Sequence, residues 1–297
     1  MRDRATGRAL GSAYLEITKV LRMTDPSEAR ALLSEAEHLF FAYGFADSLT
    51  KAGVLAKFAA AWWGLDDRRA SELSNAAVEL SALAVQEEPF DLYEDLDAKA
   101  QIQATELARI AAVLGPHDPE AARRLLTKAT AFASEPDAVG AVAVVLARYN
   151  PEGAGRLARR ISTSDHHHAS FELPRIAHVL AERTPGMARE LLAEAELIVR
   201  KHLEKNAVPE ALARVATPLF AHDVDAAREL VAEAERLAFP RGLYFGAWHT
   251  PELLGVLAPF DLEHAERIAR TLAEPHIQAE AFRAIAVSLS SSVSLQL

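Results

Sequence analysis

The sequence predicts an all-α chain of repeated helix pairs, and three observations carry that prediction. Seven stretches share apolar residues at the same relative positions, 0, 3, 4 and 7, which mark one face of an α-helix. Each stretch is followed four residues later by Asp, Asn or Thr, the residue types that start a new helix by accepting from its free amides. Finally, no segment alternates β-branched and polar residues between turn dipeptides, so strand signals are missing.

The repeat is clearest in its middle copies. Leu107, Ile110, Ala111, Leu114, Asp118, Ala122 and Leu125 recur in spacing as Leu173, Ile176, Ala177, Leu180, Thr184, Ala188 and Leu191, and again as Leu212, Val215, Ala216, Leu219, Asp223, Ala227 and Leu230. Tyr14, Ile17, Thr18 and Leu21, with Asp25, open the array. Leu55, Phe58, Ala59 and Trp62 lead to Asp66, and Val139, Val142, Ala143 and Leu146 lead to Asn150. The seventh copy runs from Thr250 through Leu253, Leu254 and Leu257 to Asp261, and Phe282, Ile285, Ala286 and Leu289 form an eighth half-copy. Each first helix is expected to end near its fourth apolar position. Each second helix is expected to begin just after the cap. Pro26, Pro119, Pro151 and Pro185 follow their caps directly, where a missing N–H costs nothing. Asp25 with Glu28 has capping-box spacing.

The helices after the caps read as amphipathic and outer, whereas those before them, 138–147 above all, are apolar on several sides and read as inner. The caps are 41, 52, 32, 34, 39 and 38 residues apart. Such spacing places the chain in the range of helical-repeat arrays. It resembles the α-solenoid superfamily, HEAT-like repeats more than tetratricopeptide-like ones, because the unit length varies and an Asp marks the turn. A basic residue at a common offset, Lys57, Arg109, Arg175 and Arg214, echoes the same pattern. The resemblance implies a right-handed α-solenoid of about seven to eight helix-turn-helix repeats. It would form one domain over 1–290 with a C-terminal tail at 291–297, and it implies binding rather than chemistry.

Composition narrows the function. The 297 residues include no cysteine, which removes disulfides, thiolate metal sites and cysteine nucleophiles. A net charge of −10 argues against a surface that neutralises phosphate backbones, so no nucleic acid is expected. The arginine-bearing start, without an apolar core, and the shortness of every apolar run predict no membrane and a cytoplasmic protein.

No GxSxG elbow, GxxxxGK loop or dinucleotide fingerprint is present, so whether the chain is an enzyme stays open; no catalytic residue or cofactor is assigned. Three adjacent histidines, His166 to His168, point in different directions on a helix, and Asp165 reads as another N-cap. No metal site is expected there. The acidic stretch at 87–97 lacks EF-hand spacing and reads as a loop.

What remains for function is the residues that break the pattern. Trp62 fills a core slot while Trp63 points elsewhere; with Phe40, Phe41, Tyr43, Phe45 and Phe58 they form one aromatic cluster. Arg241, Tyr244, Phe245, Trp248 and His249 form another, with Phe239 and Pro240. Aromatics beside arginine suit interface hot spots and small-ligand pockets, or fill gaps where helices splay. Arg109, Arg175 and Arg214 either pair with nearby carboxylates or form a positive stripe for an acidic partner. The expected function is a scaffold or adaptor holding a protein or peptide in its groove. An all-helical enzyme or small-molecule binder with a pocket lined by the aromatic clusters is the alternative. The final segment, 290–297, lacks a polar capping character, which allows homo-oligomer formation.

Overall fold

The computed structural model describes residues 2–42, 48–84, 96–205, 207–220, 222–238, 250–258, 261–272 and 274–294. Among them the chain is all-α, fifteen helices with no strand. The chain divides into two compact units, Met1–Tyr149 and Asn150–Leu297. The first holds α1 (Arg2–Thr24), α2 (Pro26–Ala42), α3 (Ser48–Trp62), α4 (Asp67–Ala84), α5 (Leu96–Leu114), α6 (Pro119–Phe132) and α7 (Pro136–Leu146). The second holds α8 (Pro151–Ser164), α9 (His166–Leu180), α10 (Pro185–His202), α11 (Val208–Leu219), α12 (Val224–Ala238), α13 (Thr250–Leu257), α14 (Leu262–Thr271) and α15 (Pro275–Ser294).

The fourth apolar position of the repeat ends the helix in six copies: Trp62, Leu114, Leu146, Leu180, Leu219 and Leu257. The next helix begins directly after the cap in all seven, at Pro26, Asp67, Pro119, Pro151, Pro185, Val224 and Leu262. One residue serves both ends of the turn. The backbone N–H groups of Asp66, Asp118, Thr184, Asp223 and Asp261 donate to the carbonyl of that fourth position at 2.6–3.0 Å, finishing the first helix. The side chains of Asp25, Asp66, Asp118, Asn150, Asp223 and Asp261 accept from amides of the second helix, as from Ala121 at 2.9 Å and Gly153 at 2.9 Å.

Two expectations about caps do not hold. Thr184 gives its hydroxyl to Leu180 O at 3.2 Å and makes no cap bond, because a threonine hydroxyl can turn back to the preceding turn. The Asp25 N–H, which a closed capping box would give to Glu28, goes to Leu21 O at 2.7 Å.

Within the first unit α1, α3, α5 and α7 pack in succession, with α2, α4 and α6 each against its own partner. Within the second, α9, α11, α13 and α15 do the same, with α10, α12 and α14 alongside and α8 on α9. The cores follow the repeat: Leu107, Ile110, Leu114, Leu125, Leu173, Ile176, Leu180 and Leu191 are all at most 1% exposed. The opening copy departs from it. Ile17 is 46% exposed while Leu15 and Thr18 are buried, so the inward face of α1 is turned one position from the shared register.

Candidate functional site

The basic residues at the shared offset all reach the surface, but not in the same company. Arg109 donates to Glu106 at 3.0 Å, Arg175 to Glu172 at 2.6 and 2.9 Å, and Arg214 to Glu210 at 2.6 and 3.1 Å. Each glutamate lies one turn earlier on the same helix, the spacing at which side chains meet. Glu172 and Glu210 are buried, so their arginines compensate charges that would otherwise be costly. The Arg214 guanidinium also lies 4.8 Å over the ring of Phe171, joining α9 to α11. Lys57 on α3 differs. The positions one turn before it are Gly53 and Val54.

The first aromatic cluster spreads over both core and surface. Phe40 and Phe58 meet edge to face at 5.3 Å. Trp62 is 6% exposed and donates its indole N–H to Glu37 at 3.1 Å, while Glu37, itself buried, also takes Arg69 of α4. Trp63, only half-buried, stacks on His117 with ring centroids 5.1 Å apart and planes 8° from parallel. Burial first, and the Arg22 charge second, hold His117 below the ordinary histidine range. Tyr43 and Phe45 lie outside the described residues, as do Arg241, Tyr244, Phe245, Trp248, His249 and most of the acidic stretch.

Arg22 reaches this corner from the end of α1. Its guanidinium lies over Gly64, whose φ of +79° is a conformation other residues rarely adopt and whose missing Cβ would sit 2.7 Å from Arg22 Nη2. Next to it opens a cavity of about 550 Å³ among α1, α2, α3 and α5. Leu15, Phe40, Val54, Ala60, Ala61 and Val113 supply its apolar wall, and Lys19, Arg22 and Lys57 its cationic one. Glu16 accepts from Lys19 at 2.7 and 2.8 Å. Thr18 gives its hydroxyl to Tyr14 O at 2.7 Å.

No family model, curated protein or solved structure matches the chain. What the chain can do therefore rests on these side chains.

One other place bears on chemistry. The three histidines diverge: His166 stacks on His202 with centroids 3.9 Å apart, His167 meets Phe171 edge-on, and His168 pairs with Asp165 at 2.8 Å. Asp165 accepts from the His168 amide, and that bond first, then the ring, holds its carboxyl below the usual carboxylate range. Among the described residues no group of three or more His, Asp or Glu is placed to hold a metal ion. Nor is any helix among them long and apolar enough to cross a membrane.

The residue order places Trp62 inside and Trp63, Arg109, Arg175 and the half-exposed Arg214 toward the surface; of the first aromatic cluster, where a pocket is expected, Phe40 is among the residues that line the cavity and Trp62 and Trp63 are not. Lys19 and Arg22 carry no repeat signal. The glutamate partners were visible in principle as acids three or four residues before each arginine.

Proposed function

We propose that the chain is a right-handed α-solenoid of HEAT-like repeats, a cytoplasmic scaffold or adaptor that holds a protein or peptide partner along its inner helices. Seven cap-turn units and a terminal half-unit are the repeat number this reading adopts. The observation that carries it is the solvent-facing row of basic side chains at one repeat offset, Lys57 and Arg109 on the packed pair α3 and α5, Arg175 and Arg214 on the packed pair α9 and α11. Arg175 and Arg214 also compensate buried Glu172 and Glu210, and charged rows steer and orient partners. The glutamates behind three of the four make it a mixed-charge surface, suited to a partner with alternating charge. Nucleic acid and membrane are not among the partners proposed. Self-association is.

Affinity capture from the native lysate tests this. The intact chain should retain a protein that the Arg109→Ala, Glu172→Gln and Arg175→Ala variant, which leaves no buried carboxylate without its arginine, loses at unchanged helicity. Retention of a metabolite and no macromolecule would overturn it.

A second reading, a small-molecule binder, is favoured by the cavity of the first unit. Its volume falls within the roughly 300–1,000 Å³ of small-ligand sites.

A further inference from the structure

We propose that the cavity among α1, α2, α3 and α5 binds a small apolar molecule carrying a single carboxylate, its apolar body against Leu15, Phe40 and Val54 and its anionic end between Arg22 and Lys57. This rests on the small-molecule reading above and names the ligand class.

The charge pattern makes the choice. The chain carries a net charge of −10, yet three cations and one acid line this cavity. Glu16 and Lys19 satisfy each other at 2.7 and 2.8 Å, which leaves Arg22 and Lys57 as the two remaining cations of the lining. Along α5, α9 and α11 the cation at the shared offset has a glutamate one turn behind it; on α3 that place is occupied by Gly53 and Val54, so Lys57 keeps its donors for another acceptor. Arg22 is held at the cavity edge by an arrangement that needs a glycine at a positive φ beneath it. A carboxylate placed between the two cations would take charge-assisted hydrogen bonds, strengthened by the apolar wall beside them.

The remainder of the lining asks for hydrocarbon. Leu15 and Phe40 are buried at 7% and 6% exposure, Ala60 and Ala61 leave room, and the Thr18 hydroxyl already donates to its own helix. A polar ligand body would lose its water against this wall with nothing to replace it. The site is a partly open concavity among four helices. A macromolecular partner needs about 800 Å² of surface per side, which such a concavity does not offer.

Calorimetric titration of the full chain with decanoate, decanol and acetate tests the proposal. Decanoate should saturate at one molecule per chain, with decanol and acetate each about tenfold weaker or worse, because one lacks the charge and the other the body. Arg22→Gln and Lys57→Gln should each weaken decanoate about tenfold. Ala61→Leu, a half-buried position, should weaken binding by taking up part of the space beside Val54 and Lys57 without lowering the melting temperature.

Equal affinity for decanol and decanoate, or indifference to Arg22→Gln and Lys57→Gln, would overturn the anionic class while leaving a pocket that Ala61→Leu still narrows. No heat at millimolar ligand, or binding untouched by Ala61→Leu, would remove the small-molecule reading with it. Tighter binding of a short peptide with a free apolar C-terminus than of decanoate would assign the cavity to a partner's tail and overturn the proposal as well.

Discussion

Lys57 on α3 and Arg175 on α9 occupy the same position of the repeat and face solvent alike, yet only one is occupied with its own helix. Arg175 is bound by buried Glu172, and nearby Arg214 by buried Glu210 and the face of Phe171. Lys57 stands beside a cavity and has glycine and valine where the others have an acid. A repeat therefore sets where a charge emerges, while a neighbour one turn away sets whether that charge is available. In the second unit the row stabilises the helices that carry it. In the first, Arg109 pairs with Glu106 and Lys57 borders a space.

The largest effect should fall where the two regions are alike. Leu107→Ala and Leu173→Ala remove fully buried side chains at equivalent positions, and each should lower unfolding free energy by about 2–5 kcal/mol in urea titration. A large difference between them would show that the repeat position does not govern packing.

The turns come next. Asp118 caps α6 and also takes the Ser74 hydroxyl at 3.1 Å, so Asp118→Ala should cost roughly 0.5–2 kcal/mol, whereas Thr184→Ala should cost less because no cap bond exists to lose. Thr184→Asp should stabilise, and hydrogen exchange at the start of α10 would register it.

A smaller change would erase the contrast between Lys57 and Arg175. A Cβ at Gly53 meets nothing within 4 Å, so Gly53→Glu places an acid four residues before Lys57, in the favourable order along the helix. Against Gly53→Gln, which matches its length and helix preference, the ion pair should add about 0.3–0.5 kcal/mol. That increment should vanish in strong salt.

The smallest effect concerns pH. His117 binds its proton less readily in the folded chain than in the unfolded one, so the stability it contributes is complete above the ordinary histidine value of 6.5 and lessens as pH falls below it. His117→Gln should flatten that part of the stability profile. An unchanged profile would mean that the stack on Trp63 carries no such linkage.

Local chemistry makes much of this fold legible in the order of residues. An Asp or Asn before a helix meets its amides wherever the chain is, so the caps can be read from Asp66, Asp118 and Asn150, and the prolines mark first turns at Pro119 and Pro151. Thr184 shows the limit: two residues with the same capping potential differ when a hydroxyl has a second acceptor within reach. The rotated face of α1 shows another. Among its described side chains Ile17 and Val20 are apolar yet exposed, and packing on α2 and α3 selected Leu15 and Thr18 over Ile17.

The helices, their ends, the turn residues that serve both neighbours and the surface position of each repeat cation all follow from the order of amino acids. They depend on interactions within a few residues of one another. Packing between distant segments is what gave the Trp62 N–H to Glu37, stacked Trp63 on His117 and carried Arg22 over Gly64 to the edge of a cavity. A cavity is the space that separate helices leave between them, so no single stretch of sequence contains it.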